Sequence, residues 1–337
     1  MKRALPVLLA AVAFVGPVGG LDAQPVPKTG TVPAKPVSLI WFPRFSTDGK
    51  WLLSAHGHWD GRQGGEVRIW EVSTGKPIHV IVQPRGVRSV CWAPDSSYFV
   101  MGGYAGDMRA FDSATGKQLH EANLGTNIEG VAITYDEKRL VATLGSGSIK
   151  VFELPSYQEI QTIKSAHNGG IWGMCLSPGG KLVASCGRDT YVRIHDLTNY
   201  KKVFEFKHPG ETNGVVFTPD NKRVLTGCTD GLIRVFDIES GKQVGELRGH
   251  EGGSVTDLQF TSDGKRLASC GGDRTVRLWN TADLTKPKLE QTFDGHDSLT
   301  FGVAFSPDDT LLASVDWADK IVVFDLKKGA ERWSWTR

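Results

Sequence analysis

The densest group of chemically capable side chains lies in SAHGHWDGRQGGEVRIW, residues 54–70, where His56, His58, Asp60 and Glu66 follow one another closely. Imidazoles and a carboxylate at such short spacing suit a zinc ion, and one loop can supply two or three ligands. No further ligand is identifiable, and Gly61, Gly64 and Gly65 give the cluster no rigid support. Three readings stand: a plain loop insertion, which the glycines favour, a loop that touches a partner, and a metal site on His56, His58 and Asp60. Other catalytic templates are absent from the sequence, with no GxSxG, HExxH, Walker loop or CxxC. The five cysteines (91, 175, 186, 228 and 270) are odd in number, and four lie in apolar stretches as small buried hydrophobes do. The one disulfide considered is Cys175–Cys186 across a hairpin. No catalytic group and no cofactor are expected.

What positions these residues is a repeat. SCGGDRTVRLWN (269–280) is similar to SCGRDTYVRIHD (185–196), TGCTDGLIRVFD (226–237), GGYAGDMRAFD (102–112), TLGSGSIKVFE (143–153) and SVDWADKIVVFD (314–325). With the stretch ending in EVRIWE (66–71), the aromatic or histidine of each copy falls at 70, 111, 152, 195, 236, 279 and 324. Steps of 41 to 45 residues mean one unit copied seven times. Each unit runs from an apolar stretch through a turn such as FSTDGK (45–50) or FSPDDT (305–310) to a second stretch. An alternating third stretch, a TGK-like turn and a shorter fourth follow. Four antiparallel strands per unit predict an all-β, seven-bladed β-propeller. The recurrence of the Asp-rich turns marks them as turn chemistry rather than paired catalytic carboxylates.

The units resemble those of the WD40-repeat family over residues 38–337, most specifically in Gly249-His250, Ser269, Asp273 and Trp279. That resemblance implies a structural hydrogen-bond relay from Trp279 through Ser269 and His250 to Asp273, since a buried indole N–H must find an acceptor. The fourth unit keeps His167, Ser185 and Asp189 with His195 in the Trp place. The fifth keeps His208, Thr226 and Asp230 with Phe236 there, and the seventh keeps His296 and Ser314 with Asp319 displaced by one. The first three units lack the histidine. In the first, sixteen residues separate Ser54 from Trp70 against ten between Ser269 and Trp279, so HGHWD lengthens the turn between the second and third strands.

The expected blades are roughly 38–83, 84–124, 125–164, 165–207, 208–248, 249–294 and 295–337, with residues 331–336 closing the last. Four residues back from the end of each first strand stand Trp41, Arg88, Glu129, Trp172, Asn213, Thr256 and Phe301. Neighbouring loops on the same rim add Trp59, Tyr104, Tyr191, Arg274 and Trp317. Large aromatics and arginine dominate binding hot spots, so this rim is the expected binding face; the alternative is that the rings only plug the channel. A protein partner is the expected ligand and a glycan the second. TGK turns at 74–76 and 115–117 also resemble those of quinone-cofactor dehydrogenase propellers, the enzyme alternative.

Net charge is +2, with Lys and Arg scattered among acids, which excludes a basic nucleic-acid groove. Met1-Lys2-Arg3 followed by the apolar run Ala4 to Val18 suits a secretory signal over residues 1–23 and is short for a membrane helix. Residues 24–37 are proline-rich and read as a linker. The expected location is therefore outside the cytoplasm, periplasmic or secreted, with no membrane span after cleavage.

Overall fold

A computed structural model describes residues 39–58 and 61–337; the expected signal (1–23), the linker (24–37), Trp59 and Asp60 lie outside the described residues. Every regular element among them is a strand. Seven four-stranded antiparallel blades form a β-propeller, each running in chain order from its axial first strand to its outer fourth. In blade 1 the first strand is broken into Leu39–Ile40 and Arg44–Phe45, both paired to Trp51–Gly57. Blade 7 takes all four strands from Thr300–Phe305 to Ala330–Thr336.

The blades are held by seven buried apolar clusters, each shared by two neighbours. The alternation of each third strand produces this. In Val276–Asn280, Val276, Leu278 and Trp279 are buried while Arg277 is only partly so. The last cluster joins blade 1 to blade 7 through Leu52, Trp70, Leu312's neighbours Leu311 and Ala313, and Ile321.

The recurring acids prove to be turn acceptors. Asp136 takes the Thr134 hydroxyl at 2.7 Å and Asp308 takes Ser306 at 2.5 Å, and these bonds lower both carboxyl pKa values. All five thiols are free. Cys175 faces Ala184 and Cys186 faces Gly173, so the bridge considered across that hairpin does not form. Burial pushes the Cys91 thiol up to about 12, which makes it a poor nucleophile.

Candidate functional site

In blades 2 to 7 the pairing of first and second strands slips at one residue, between Val87/Ser89, Ile128/Gly130, Ile171/Gly173, Thr212/Gly214, Val255/Asp257 and Thr300/Gly302. The skipped residues are Arg88, Glu129, Trp172, Asn213, Thr256 and Phe301. A bulge turns one side chain away from the regular alternation, and here it does so six times at equivalent points. Trp41 stands beside the break in the first strand of blade 1. These seven residues line one cavity of about 800 Å³ at the top of the channel, with Tyr104 and Trp317 on its wall. Glycine after the bulge permits the crowding: a Cβ on Gly173 would lie 2.2 Å from Asn213 O.

Inside the cavity the rings form a connected set. Trp41 meets Phe301 edge-on at 4.8 Å between centroids, and Phe301 meets Trp317 at 5.3 Å. The Arg88 guanidinium lies 3.9 Å from the Trp41 ring centroid and bonds Glu129 Oε2 through Nε at 3.1 Å. Both Arg88 and Trp41 are buried, and neither Arg88 Nη1 nor Trp41 Nε1 has a hydrogen-bond partner among the described residues. The Thr256 hydroxyl is already bonded to Thr300 O at 2.6 Å, which makes it a structural member of the ring. Trp172 and Asn213 stay half-buried and face the space. Lower in the channel, burial raises Asp257 to about 6, although it accepts N–H bonds from Leu258 at 2.9 Å and Val303 at 3.1 Å.

Tyr191 and Arg274, expected on the same rim, do not line the cavity; Tyr191 packs under Arg193 at 4.6 Å and Arg274 is exposed in its turn. The cavity also takes in Phe42, Asn127, Arg188, Thr229, Ser254 and Leu299, which the counting from first strands missed. Asn127, Ser254 and Leu299 precede a first strand, and Arg188 and Thr229 follow a second strand. Extending the count to both loops would have found them.

The histidines of the turns carry structure. In blade 6, Trp279 Nε1 donates to Ser269 Oγ at 2.8 Å, Oγ lies 2.7 Å from His250 Nε2, and His250 Nδ1 lies 3.0 Å from Asp273 Oδ1. The indole can only donate, so the hydroxyl donates on to Nε2 and Nδ1–H points at the carboxylate. Blade 4 repeats the set with His167, Ser185 and Asp189 at 2.9 Å for both bonds, and its buried His195 is pushed down to about 4 by burial. Blades 5 and 7 depart from expectation. In blade 5, Asp230 turns to Arg234 at 2.6 Å, which leaves His208 with Thr226 at 3.3 Å. In blade 7 the acid for His296 is Asp316 at 3.1 Å, not Asp319.

Asp319 serves blade 1 instead. Trp70 Nε1 donates to Ser54 Oγ at 2.8 Å, Ser54 lies 2.7 Å from His56 Nε2, and His56 Nδ1 lies 3.0 Å from Asp319 Oδ1. Blade 1 therefore has its histidine after all, on its second strand two residues past the serine, with the acid lent by blade 7. His56 is fully buried and both its ring nitrogens are engaged, so metal ligation would dismantle the relay. Among the described residues of HGHWD, His56 and Gly57 extend the second strand, His56 pairing with Glu66 in the ladder. No group of three metal-capable side chains occurs among the described residues.

The pattern of the WD domain, G-beta repeat, matches residues 75–112, 158–196, 200–237, 241–280 and 287–325, more than half of the chain. The chain belongs to the WD40 repeat family. This WD40 propeller is 28% identical over 185 residues to an uncharacterized WD repeat-containing protein of Synechocystis, covering 55% of this chain and 49% of that one. It is 26% identical over 164 residues to a WD repeat-containing protein of Schistosoma mansoni, covering 48% and 53%. A third match, at 37% over 90 residues, is to a Superkiller complex protein 8 of Dictyostelium discoideum, covering 26% and 29%. The chain spans about half or less of the length of these relatives. No helix among the described residues is long and apolar enough to cross a membrane.

Proposed function

We propose that this WD40 propeller is an exported, non-catalytic interaction scaffold whose top rim engages a protein partner. The observation that carries the reading is the convergence of seven first-strand residues, aromatic and arginine among them, on one cavity of about 800 Å³. Ring faces bring contact area at low entropic cost. Export rests on the basic start and apolar run of residues 1–18. A surface glycan is the second reading, favoured by the half-buried ring of Trp172.

The test is a capture experiment from the native envelope and medium, comparing wild type with Trp172→Ala and Trp317→Ala at matched melting temperature. One protein retained by wild type and lost with both variants is the expected result. Retention by both variants moves the site elsewhere, and turnover of a quinone-linked alcohol or sugar replaces the scaffold reading with an enzyme.

A further inference from the structure

The fourth strands are the free edges of the blades, and six of the seven carry a glutamate: Glu121, Glu159, Glu205, Glu246, Glu290 and Glu331. Charges on an edge keep it from pairing with another chain. The fourth strand of blade 1, Lys76–Gln83, has no acid, and its one cation stands at its first position. Register makes the difference specific. Across from third-strand arginines 109, 193 and 234 stand Glu121, Glu205 and Glu246, whereas across from Arg68 stands Val80. Arg68 has turned inward to Glu66 and to the Trp335 ring, 4.2 Å from its centroid.

What remains outside is an apolar row. Val80 and Val82 lie on one face at 47% and 75% exposure, and Ile78, skipped where the ladder slips between Ile69 and Trp70, adds a third exposed side chain at 43%, while each of blades 2 to 6 exposes a single large apolar residue on its fourth strand. Pro77 and Pro84 bracket the segment and limit ladder pairing to the six residues between them.

We propose that this edge pairs antiparallel with the same edge of a second copy, about a two-fold axis through Val80. Val80 of one copy then faces Val80 of the other, with Val82 and the bulged Ile78 flanking that β-branched pair on each side. A second copy fits because residues 77–84 carry no charge, so no like charges oppose each other within the ladder. Pairing about a two-fold makes the contact isologous, and with one such edge among the described residues it closes at the dimer. At the two ends exposed Lys76 of one copy approaches exposed Arg85 of the other, so added salt strengthens the association by screening them.

Sedimentation of the full chain across a concentration series decides the matter. The expected result is a reversible equilibrium between the monomer and a species of twice its mass. Val80→Glu, which restores the pattern of the other blades, weakens it by about tenfold or more at unchanged melting temperature. Amides 78–82 of wild type gain exchange protection as concentration rises. A wild type that stays monomeric up to about 100 μM overturns the proposal, as does a dimer that Val80→Glu leaves intact.

Discussion

Blade 6 and blade 1 solve one structural problem with different parts of the chain. In blade 6 the four relay residues lie between 250 and 279, all within one repeat and its entry loop. In blade 1 the same geometry is assembled from Ser54, His56 and Trp70 together with Asp319, 263 residues from the histidine. Every other blade receives its entry loop from the blade before it. Blade 1 takes its histidine from its own second strand and its acid from blade 7. The relay there does more than brace a turn. Asp319 also pairs with Arg337, which pairs with Glu66, and Glu66 holds Arg68 against Trp335. Trp333 adds a bond to Val72 O at 2.9 Å. The seam is thus a polar network laid over an apolar cluster, whereas blade 6 keeps its relay within the blade.

That contrast is most exposed to test at Asp319. Asp319→Ala leaves His56 without its acceptor and Arg337 with one partner fewer, at a buried site that joins the two blades. A loss of about 3 kcal/mol is expected in denaturant unfolding, the upper end for an orphaned buried donor, with increased proteolysis near the seam. Unfolding like wild type would show that the apolar cluster closes the ring unaided.

Asp273→Ala removes the equivalent acceptor where the relay is local and is expected to cost about 1–3 kcal/mol, read as a lower melting temperature with rim binding unchanged. The same change at Asp230 is its control. Asp230 is exposed and bonds Arg234 rather than His208, so its loss falls within about 0.5 kcal/mol. Equal losses at 273 and 230 would break the distinction between a closed and an open relay.

The smallest expected effect is a pH dependence. Burial lowers His56 and His167 from 6.5 and brings His195 and His208 to about 4. A histidine depressed in the folded state takes up its proton more readily when unfolded. Its contribution is therefore complete above about pH 6.5 and is lost as pH falls toward 4. His195→Phe, the side chain that blade 5 carries at the equivalent point, removes one such group. It should flatten the fall in stability between pH 7 and 5.5 by about 1 kcal/mol. An unchanged slope would mean that His195 is not a buried neutral group.

The rim shows how far spacing reaches. Counting back from each first strand reached all seven ring positions because blades 2 to 7 place their bulge, and blade 1 the break in its first strand, at the same offset. The skipped residues share no type, being Arg, Glu, Trp, Asn, Thr and Phe, although glycine follows four of the six. Hydrogen-bond register decides which side chain a bulge releases, and register depends on the partner strand. Tyr191 and Arg274 do not reach the cavity, Tyr191 packing under Arg193 and Arg274 lying exposed.

By itself the sequence determined the number of blades, their strand order and their turns, because these depend on residues within one repeat of about forty positions. Ser-x-Asp turns, alternating third strands and the local relay of blade 6 all act over short separations, where residue type and spacing carry the physics. Only the tertiary structure decided the partners of His56, Asp316 and Asp319, the orientation of Asp230 and the exposure of Val80. Those outcomes depend on which groups meet across blades once the ring closes. A hydrogen bond spanning most of the chain has no periodic signature, since its geometry is set by the packing of everything between its two ends.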